Sequence, residues 1–124
     1  MKILIADDDP DDIDLFEEAL NAIYPQYNLC KATNGLELFK ILETGVNPDL
    51  IVLDLNMPLI SGLQCIKDIR ANPEWAKMQV AILTTSTRSV DVEECMLNGA
   101  DHYFIKPYSF EGLKEVIIKM LKKV

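Results

Sequence analysis

The sequence predicts an α/β fold in three layers: a doubly wound, five-stranded parallel sheet of order 2-1-3-4-5, with helices on both faces. Short apolar runs alternate with segments whose apolar residues recur at helical spacing, which predicts five strand–helix units in a row. Three of these runs are continuously apolar, as is typical of parallel strands buried on both faces: KILIA, LIVL and VAILT. Because such units favour a parallel sheet and 124 residues suit one core, we expect residues 1–124 to form a single domain.

The individual elements follow in chain order. The five strands are predicted at the segments KILIA, YNLCKA, LIVL, VAILT and HYFIK, of which the second and fifth are mixed in character and belong near the sheet edges. Each strand precedes a helix with an apolar stripe. The stripes are Ile13, Phe16, Leu20 and Ile23; Leu36, Phe39 and Leu42; Leu63, Ile66 and Ile69; Val92, Cys95 and Met96; and Phe110, Leu113, Val116, Ile117, Met120 and Leu121. The fourth, from Val90 to Asn98, is the weakest.

Several residues mark where the helices begin and end. Asp9 followed by Pro10 fits an N-cap and a first helical position. Ser61 with Gln64 three residues later fits a capping box at the start of the third helix. Gly45 and Gly99 stand where the second and fourth helices are expected to stop.

Composition excludes several classes of function. The formal net charge of −8 disfavours nucleic acid and anionic membranes as partners, since both require a basic surface. No apolar run approaches the roughly 20 residues that span a bilayer, and the acidic N-terminus does not resemble a signal peptide. The three cysteines are widely spaced and match no metal or redox pattern. We therefore expect them to be reduced thiols that pack in the interior of a cytoplasmic protein.

Polar side chains gather where adjacent strands end. In the order 2-1-3-4-5, strands 1 and 3 are neighbours, and ligands of such folds bind at the carboxyl ends of the strands. Asp7 and Asp8 follow strand 1, and Asp54 follows strand 3. Thr84 and Lys106 occupy the ends of strands 4 and 5. We therefore expect all five to share one pocket, whereas Asp9, Asp11 and Asp12 are explained as first-turn acids that a helix dipole favours.

Three adjacent carboxylates repel one another, and a hard divalent cation removes that conflict. Mg²⁺ prefers oxygen ligands and retains waters, which leaves room for phosphate oxygens. Asp54 could then attack phosphorus as a nucleophile, Lys106 could neutralise a phosphoryl oxygen, and Thr84 could donate a hydrogen bond to another. The sequence thus predicts that Asp54 is a phosphate acceptor.

Four segments together resemble the receiver domain of two-component response regulators, in that family's order and spacing: ILIADDDP, LIVLDLNMPLISG, AILTTS and GADHYFIKP. The resemblance implies that Asp54 is the phosphoacceptor and that Mg²⁺ or Mn²⁺ is the cofactor. It implies that Asp8 binds the metal directly, Asp7 through water and Asn56 through its backbone carbonyl. Gly62 would let the third helix begin close to the site.

The resemblance also implies a switch. Thr84 and Lys106 match the residues that sense the phosphoryl group, and Tyr103 matches the aromatic that turns inward on activation. The peptide bond between Lys106 and Pro107 is usually cis in relatives, which a sequence alone does not show. Thr85 stands where many receivers have a small residue, so rates cannot be transferred from relatives.

Partners and class follow from the same resemblance. The chain is similar to standalone, chemotaxis-regulator-like receivers, and LTTS with Trp75 is similar to a subgroup associated with phytochrome-type kinases. This implies a sensor histidine kinase or phosphotransfer protein as donor, a downstream protein target, no output domain, and a monomer or a homodimer through helix 4, strand 5 and helix 5. It implies that the protein is not an enzyme and catalyses only its own phosphotransfer and its own slow dephosphorylation.

Two other functions stay open as alternatives. A haloacid-dehalogenase-type phosphatase also uses an aspartyl nucleophile with Mg²⁺, but it needs an acid where this chain has Asn56, and its motifs come in another order. A receiver-like binding module would work without phosphorylation, although no member of the acid, Thr and Lys set is missing here.

The single histidine, His102, is expected to be an exposed residue that begins a strand.

Overall fold

The computed structural model describes all residues, 1–124, and has the predicted architecture. Five parallel strands form one sheet in the order β2-β1-β3-β4-β5. In chain order the elements are β1 (Lys2–Ala6), α1 (Pro10–Ile23), β2 (Asn28–Ala32), α2 (Gly35–Glu43), β3 (Leu50–Leu53), α3 (Gly62–Ala71), β4 (Val80–Thr84), α4 (Ser89–Leu97), β5 (His102–Ile105) and α5 (Phe110–Lys122).

The hydrophobic core has two halves, one on each face of the sheet. Alternate residues of a strand point to opposite faces, so Ile3 and Ile5 belong to one half and Leu4 and Ala6 to the other. Helices α1 and α5 cover the first half, while α2, α3 and α4 contribute to the second. The strands β3 and β4 are buried throughout, whereas β2 and β5 are partly exposed edges, as the sequence predicted.

The predicted helix boundaries are confirmed with one exception. The Asp9 side chain accepts a hydrogen bond from the amide of Asp11 before Pro10 begins α1. The Ser61 side chain likewise caps α3 by accepting from the Gln64 amide. The reciprocal half of the capping box is absent, because the Gln64 side chain instead donates to Asp68, one turn further on.

Two glycines end helices through a conformation that other residues adopt at a cost. Gly45 has φ of 90° and Gly99 has φ of 109°, both in the left-handed region, which confirms the predicted helix ends. Leu59 also has a positive φ, 69°, although it carries a full side chain. The sequence contained no sign of this turn, because leucine disfavours it.

Helix α4 is weakly anchored, as its faint apolar stripe predicted. Cys95 is its buried residue, whereas Met96, which the predicted stripe included, is 43% exposed. The side chain of Arg88 makes no capping hydrogen bond at the start of this helix. Since α4 ends with the very exposed Leu97, much of its apolar surface faces outward.

His102 begins β5 as predicted, but it is half-buried rather than exposed. Burial lowers the pKa of its imidazole, and its buried Nε2 has no hydrogen-bond partner.

Trp75 precedes β4 and stacks on Phe39 of α2, with ring centroids 5.6 Å apart, in keeping with its expected covering role. All three cysteines are free, and no helix is long and apolar enough to cross a bilayer.

Candidate functional site

The carboxyl ends of the strands bring the predicted site residues together. The amide of Asp54 donates to the carbonyl of Ala6 at 2.9 Å, so the strand pairing of β1 with β3 continues up to the acidic residues. The amide of Lys106 donates to the carbonyl of Thr84 at 2.7 Å and extends the pairing of β4 with β5 in the same way. Together with the pairing of β3 with β4, these bonds place the four strand ends beside one another.

Three carboxylates form a compact cluster at this edge. Asp7 and Asp54 are buried, with exposed fractions of 3% and 8%, while Asp8 is exposed. One oxygen atom from each of these three side chains lies within 4.8 Å of the others. Oxygen atoms at this separation fit the ligand preference of a small hard cation such as Mg²⁺.

The electrostatics of Asp7 also favour a cation. Burial raises the pKa of the Asp7 carboxyl to about 6, although hydrogen bonds from Lys106 and from the Asp9 amide oppose this increase. The charge of Asp54 makes a smaller contribution to the same increase. A carboxylate that is disfavoured in this way gains stability from a divalent cation that replaces its lost hydration.

Lys106 is the positive centre of the site. Its Nζ atom donates to Asp7 Oδ2 at 2.8 Å, to Asp12 Oδ2 at 2.8 Å and to Asp54 Oδ2 at 3.2 Å. Burial alone would lower the pKa of Lys106, but the hydrogen bonds to Asp12 and Asp7 and the charge of Asp54 raise it overall. The ammonium group therefore stays charged, and it uses all three of its N–H donors.

Asp12 is the site residue that the sequence interpretation missed. Its position in the first turn of α1 was attributed to the helix dipole, as was that of Asp11. The structure corrects that explanation, because the Asp12 carboxylate reaches Lys106. Helical periodicity carried a usable signal: Asp12 lies four residues before the buried Phe16 and so shares the core-facing side of α1.

The loop after β3 is shaped by a close backbone approach. A Cβ atom on Gly62 would overlap the carbonyl oxygen of Asp54, so only glycine lets α3 begin here. The Gly62 amide donates to the carbonyl of Leu55 at 2.9 Å and closes the loop. Asn56 is exposed, and its backbone amide donates to Asp54 Oδ1 at 3.4 Å. The role of its backbone carbonyl as a metal ligand stays a prediction.

Thr84 and Tyr103 meet through Ser86. Thr84 is fully buried, and its Oγ1 accepts from the Ser86 amide at 3.4 Å. The Tyr103 hydroxyl donates to the Ser86 carbonyl at 3.0 Å, with its ring packed against the core half that contains α4.

Thr85, the residue that follows Thr84, is exposed. The bond between Lys106 and Pro107 is not cis, since the chain contains no cis peptide bond.

Comparison with known proteins gives a consistent result. The family described as the response regulator receiver domain matches residues 3–118. The uncharacterized transcriptional regulatory protein YrkP of Bacillus subtilis is 32% identical over 98% of this chain, which spans 50% of that protein. The chemotaxis protein CheY1 of Helicobacter pylori (strain J99) is 25% identical over 93% of this chain and 92% of its own length. The chain thus spans about half of one relative and nearly all of another.

Solved structures agree with these sequence relatives. The phosphorylated cyanobacterial phytochrome response regulator RcpA superposes with a TM-score of 0.88 and 26% identity, covering 96% of this chain and 89% of RcpA. The Mn²⁺-bound form of response regulator Rcp1 gives a TM-score of 0.88 and 27% identity, covering 99% of this chain and 96% of Rcp1. Both likenesses cover almost the whole of this chain.

Proposed function

This chain belongs to the response regulator receiver domain family, and from that premise we propose that it is a signalling switch operated by phosphorylation of Asp54. Receiver domains are signalling modules rather than general catalysts. The observation that carries the proposal is the meeting of Asp54 with Asp7, Asp8 and Lys106, four residues from three separate strand ends. This arrangement places a nucleophilic oxygen beside a fixed positive charge.

Asp7, Asp8 and Asp54 would hold Mg²⁺, or Mn²⁺, with the backbone carbonyl of Asn56 as a further ligand. The compact oxygen set and the raised pKa of Asp7 support this assignment. When bound, the metal supplies charge neutralisation for the phosphoryl oxygens. The protein itself holds the Asp54 carboxylate in place through backbone pairing and keeps the Lys106 ammonium at the acceptor.

Thr84 and Tyr103 would convert the chemical event into a change of surface. Thr84 is buried at the end of β4, where a small movement of its hydroxyl toward a phosphoryl oxygen would break its contact with Ser86. Tyr103 shares Ser86 as a partner, so its hydroxyl would respond to the same movement. The phosphoryl group would shift the balance between two conformations through these contacts.

The signal would leave through the face formed by α4, β5 and α5. Exposed apolar side chains from all three elements and the loop between the last two support this surface: Val90, Ile105, Tyr108 and Phe110. Such residues suit a downstream protein or a second copy of this chain. The other partner would be a sensor histidine kinase or a phosphotransfer protein, and the likeness to the phytochrome response regulator RcpA supports a phytochrome-type kinase.

We also propose that residues 1–124 form a single domain and that the protein is cytoplasmic, since three free cysteines suit a reducing compartment. The phosphatase alternative is disfavoured, since Asn56 stands where that class needs an acid and the chain belongs to another family.

Acetyl phosphate tests the proposed acceptor. With Mg²⁺ present, intact-mass measurement should show one added phosphoryl group that survives acid and is lost in base. The Asp54→Asn variant should show none, whereas Asp11→Asn, a change in an exposed acid of α1, should be phosphorylated normally. An adduct that persists in Asp54→Asn would move the acceptor elsewhere, and loss of the adduct in the control would point to a general charge effect.

A further inference from the structure

Asp11 and Asp12 are neighbours with the same relation to the helix dipole but different surroundings. Both belong to the first turn of α1. Asp11 is exposed and makes no ion pair, whereas the Asp12 side chain is 36% exposed and accepts a hydrogen bond from Lys106 at 2.8 Å. That contact joins residues 94 positions apart in the chain. The helix dipole therefore accounts for Asp11 and leaves the orientation of Asp12 unexplained.

The three partners of Lys106 are not equivalent. Under the proposed function, Asp54 gives an oxygen atom to phosphorus and Asp7 belongs to the metal set. Asp12 has neither task, since its carboxylate is outside the cluster formed by Asp7, Asp8 and Asp54. It is therefore the one acceptor that stays available to Lys106 when the other two change their bonding.

We propose that Asp12 is a positioning residue that keeps the Lys106 ammonium directed at the acceptor while Asp54 is phosphorylated. This inference rests on the proposed function. A lysine ammonium on a flexible stem must be ordered before it can stabilise charge on a transferring phosphoryl group. With Asp12 as a fixed partner on α1, that ordering is complete before the donor arrives, and the reaction gains from it.

The kinetic test compares Asp12→Asn with Asp11→Asn. In the reaction, the phosphorus–oxygen bond to the acetyl group of acetyl phosphate breaks as a new bond to an Asp54 oxygen forms, and acetate leaves. Loss of one charged hydrogen bond to Lys106 should slow phosphorylation about tenfold in Asp12→Asn. Asp11→Asn removes the same charge from the same turn and should change the rate less than about twofold.

A double-mutant cycle shows whether Asp12 acts through Lys106. In a Lys106→Ala background, Asp12→Asn should have almost no further effect on the rate, because the group that it positions is gone. A merely structural role, or a general effect of charge on acetyl phosphate, would leave the same slowing in both backgrounds. Such additive behaviour would overturn the inference.

A second readout needs neither metal nor phosphorylation. The hydrogen-bonded ammonium of Lys106 should exchange its protons slowly, so its ¹H–¹⁵N signal should be visible by NMR in the metal-free protein and in Asp11→Asn. It should broaden or vanish in Asp12→Asn. If Asp12→Asn changed neither the Lys106 signal nor the phosphorylation rate, the inference about Asp12 would be overturned and the proposed function would stand. If the unaltered chain formed no phosphoryl adduct at all, the proposed function would be overturned together with the inference.

Discussion

Acidification should weaken Mg²⁺ binding at a pH where ordinary aspartates are still ionised. Burial raises the pKa of Asp7 from 3.8 to about 6, and a carboxyl must lose its proton to bind a metal. At about pH 5 only about one Asp7 side chain in eleven would be ionised, so the apparent affinity should fall about tenfold from its value above about pH 7. With the ordinary pKa of 3.8, the fall would be less than about a tenth of the affinity.

Calorimetric titration of the metal-free protein measures this effect in two ways. The dissociation constant for Mg²⁺ should rise steadily between about pH 7 and about pH 5. Near pH 6, binding should also release about half a proton per metal ion, which appears as a difference in heat between buffers of unlike ionisation enthalpy. Proton release links the affinity change to a titrating group rather than to unfolding.

Two variants assign the pH dependence to Asp7. Asp7→Asn should bind Mg²⁺ more weakly and with a nearly flat pH profile, because the titrating carboxyl is missing. Asp11→Asn alters an exposed acid close by and should keep the profile of the unaltered chain. An affinity that stays constant down to about pH 5 would refute the argument that burial makes Asp7 reluctant to ionise.

Three further predictions concern Lys106, Gly62 and Leu59. Lys106→Ala should lower the free energy of unfolding of the metal-free protein by about 2–3 kcal/mol in urea titrations, since it leaves buried carboxylates unpaired. The same variant should uncouple phosphorylation from the conformational change more than it weakens Mg²⁺ binding, and a collapse of metal affinity would contradict these roles. Gly62→Ala should destabilise the fold by about 2–3 kcal/mol because its Cβ would displace the Asp54 carbonyl, and an unaltered melting temperature would disprove that close approach. Leu59→Gly should stabilise the protein by about 0.5–1 kcal/mol through relief of its positive φ, whereas Leu59→Ala should not, and equal effects in both would exclude backbone strain as the cause.

The architecture was predictable because its determinants are local. Continuous apolar runs mark the central strands β1, β3 and β4, and mixed runs mark the edges. Once the sheet order was inferred, the ends of neighbouring strands had to meet, which brought the predicted acids, Thr84 and Lys106 to one edge. Sheet topology thus linked residues that are far apart in sequence.

What the sequence did not reveal depends on the direction of individual side chains. Asp11 and Asp12 have the same chemistry and adjacent positions, and only the rotation of α1 against β5 decides that Asp12 contacts Lys106. Met96 belongs to the apolar stripe predicted for α4, yet it is 43% exposed while the adjacent Cys95 is fully buried. The left-handed turn at Leu59 runs against the preference of leucine, so no pattern could predict it.

The most direct test of the account is a crystal structure of the protein with Mg²⁺ and beryllofluoride, a mimic of the phosphoryl group. The account predicts that beryllium bonds to a carboxylate oxygen of Asp54, that Mg²⁺ contacts the oxygen cluster containing Asp8, and that the Lys106 ammonium contacts a fluoride. Beryllium and magnesium bound at other residues, with Asp54 free, would contradict the central claim.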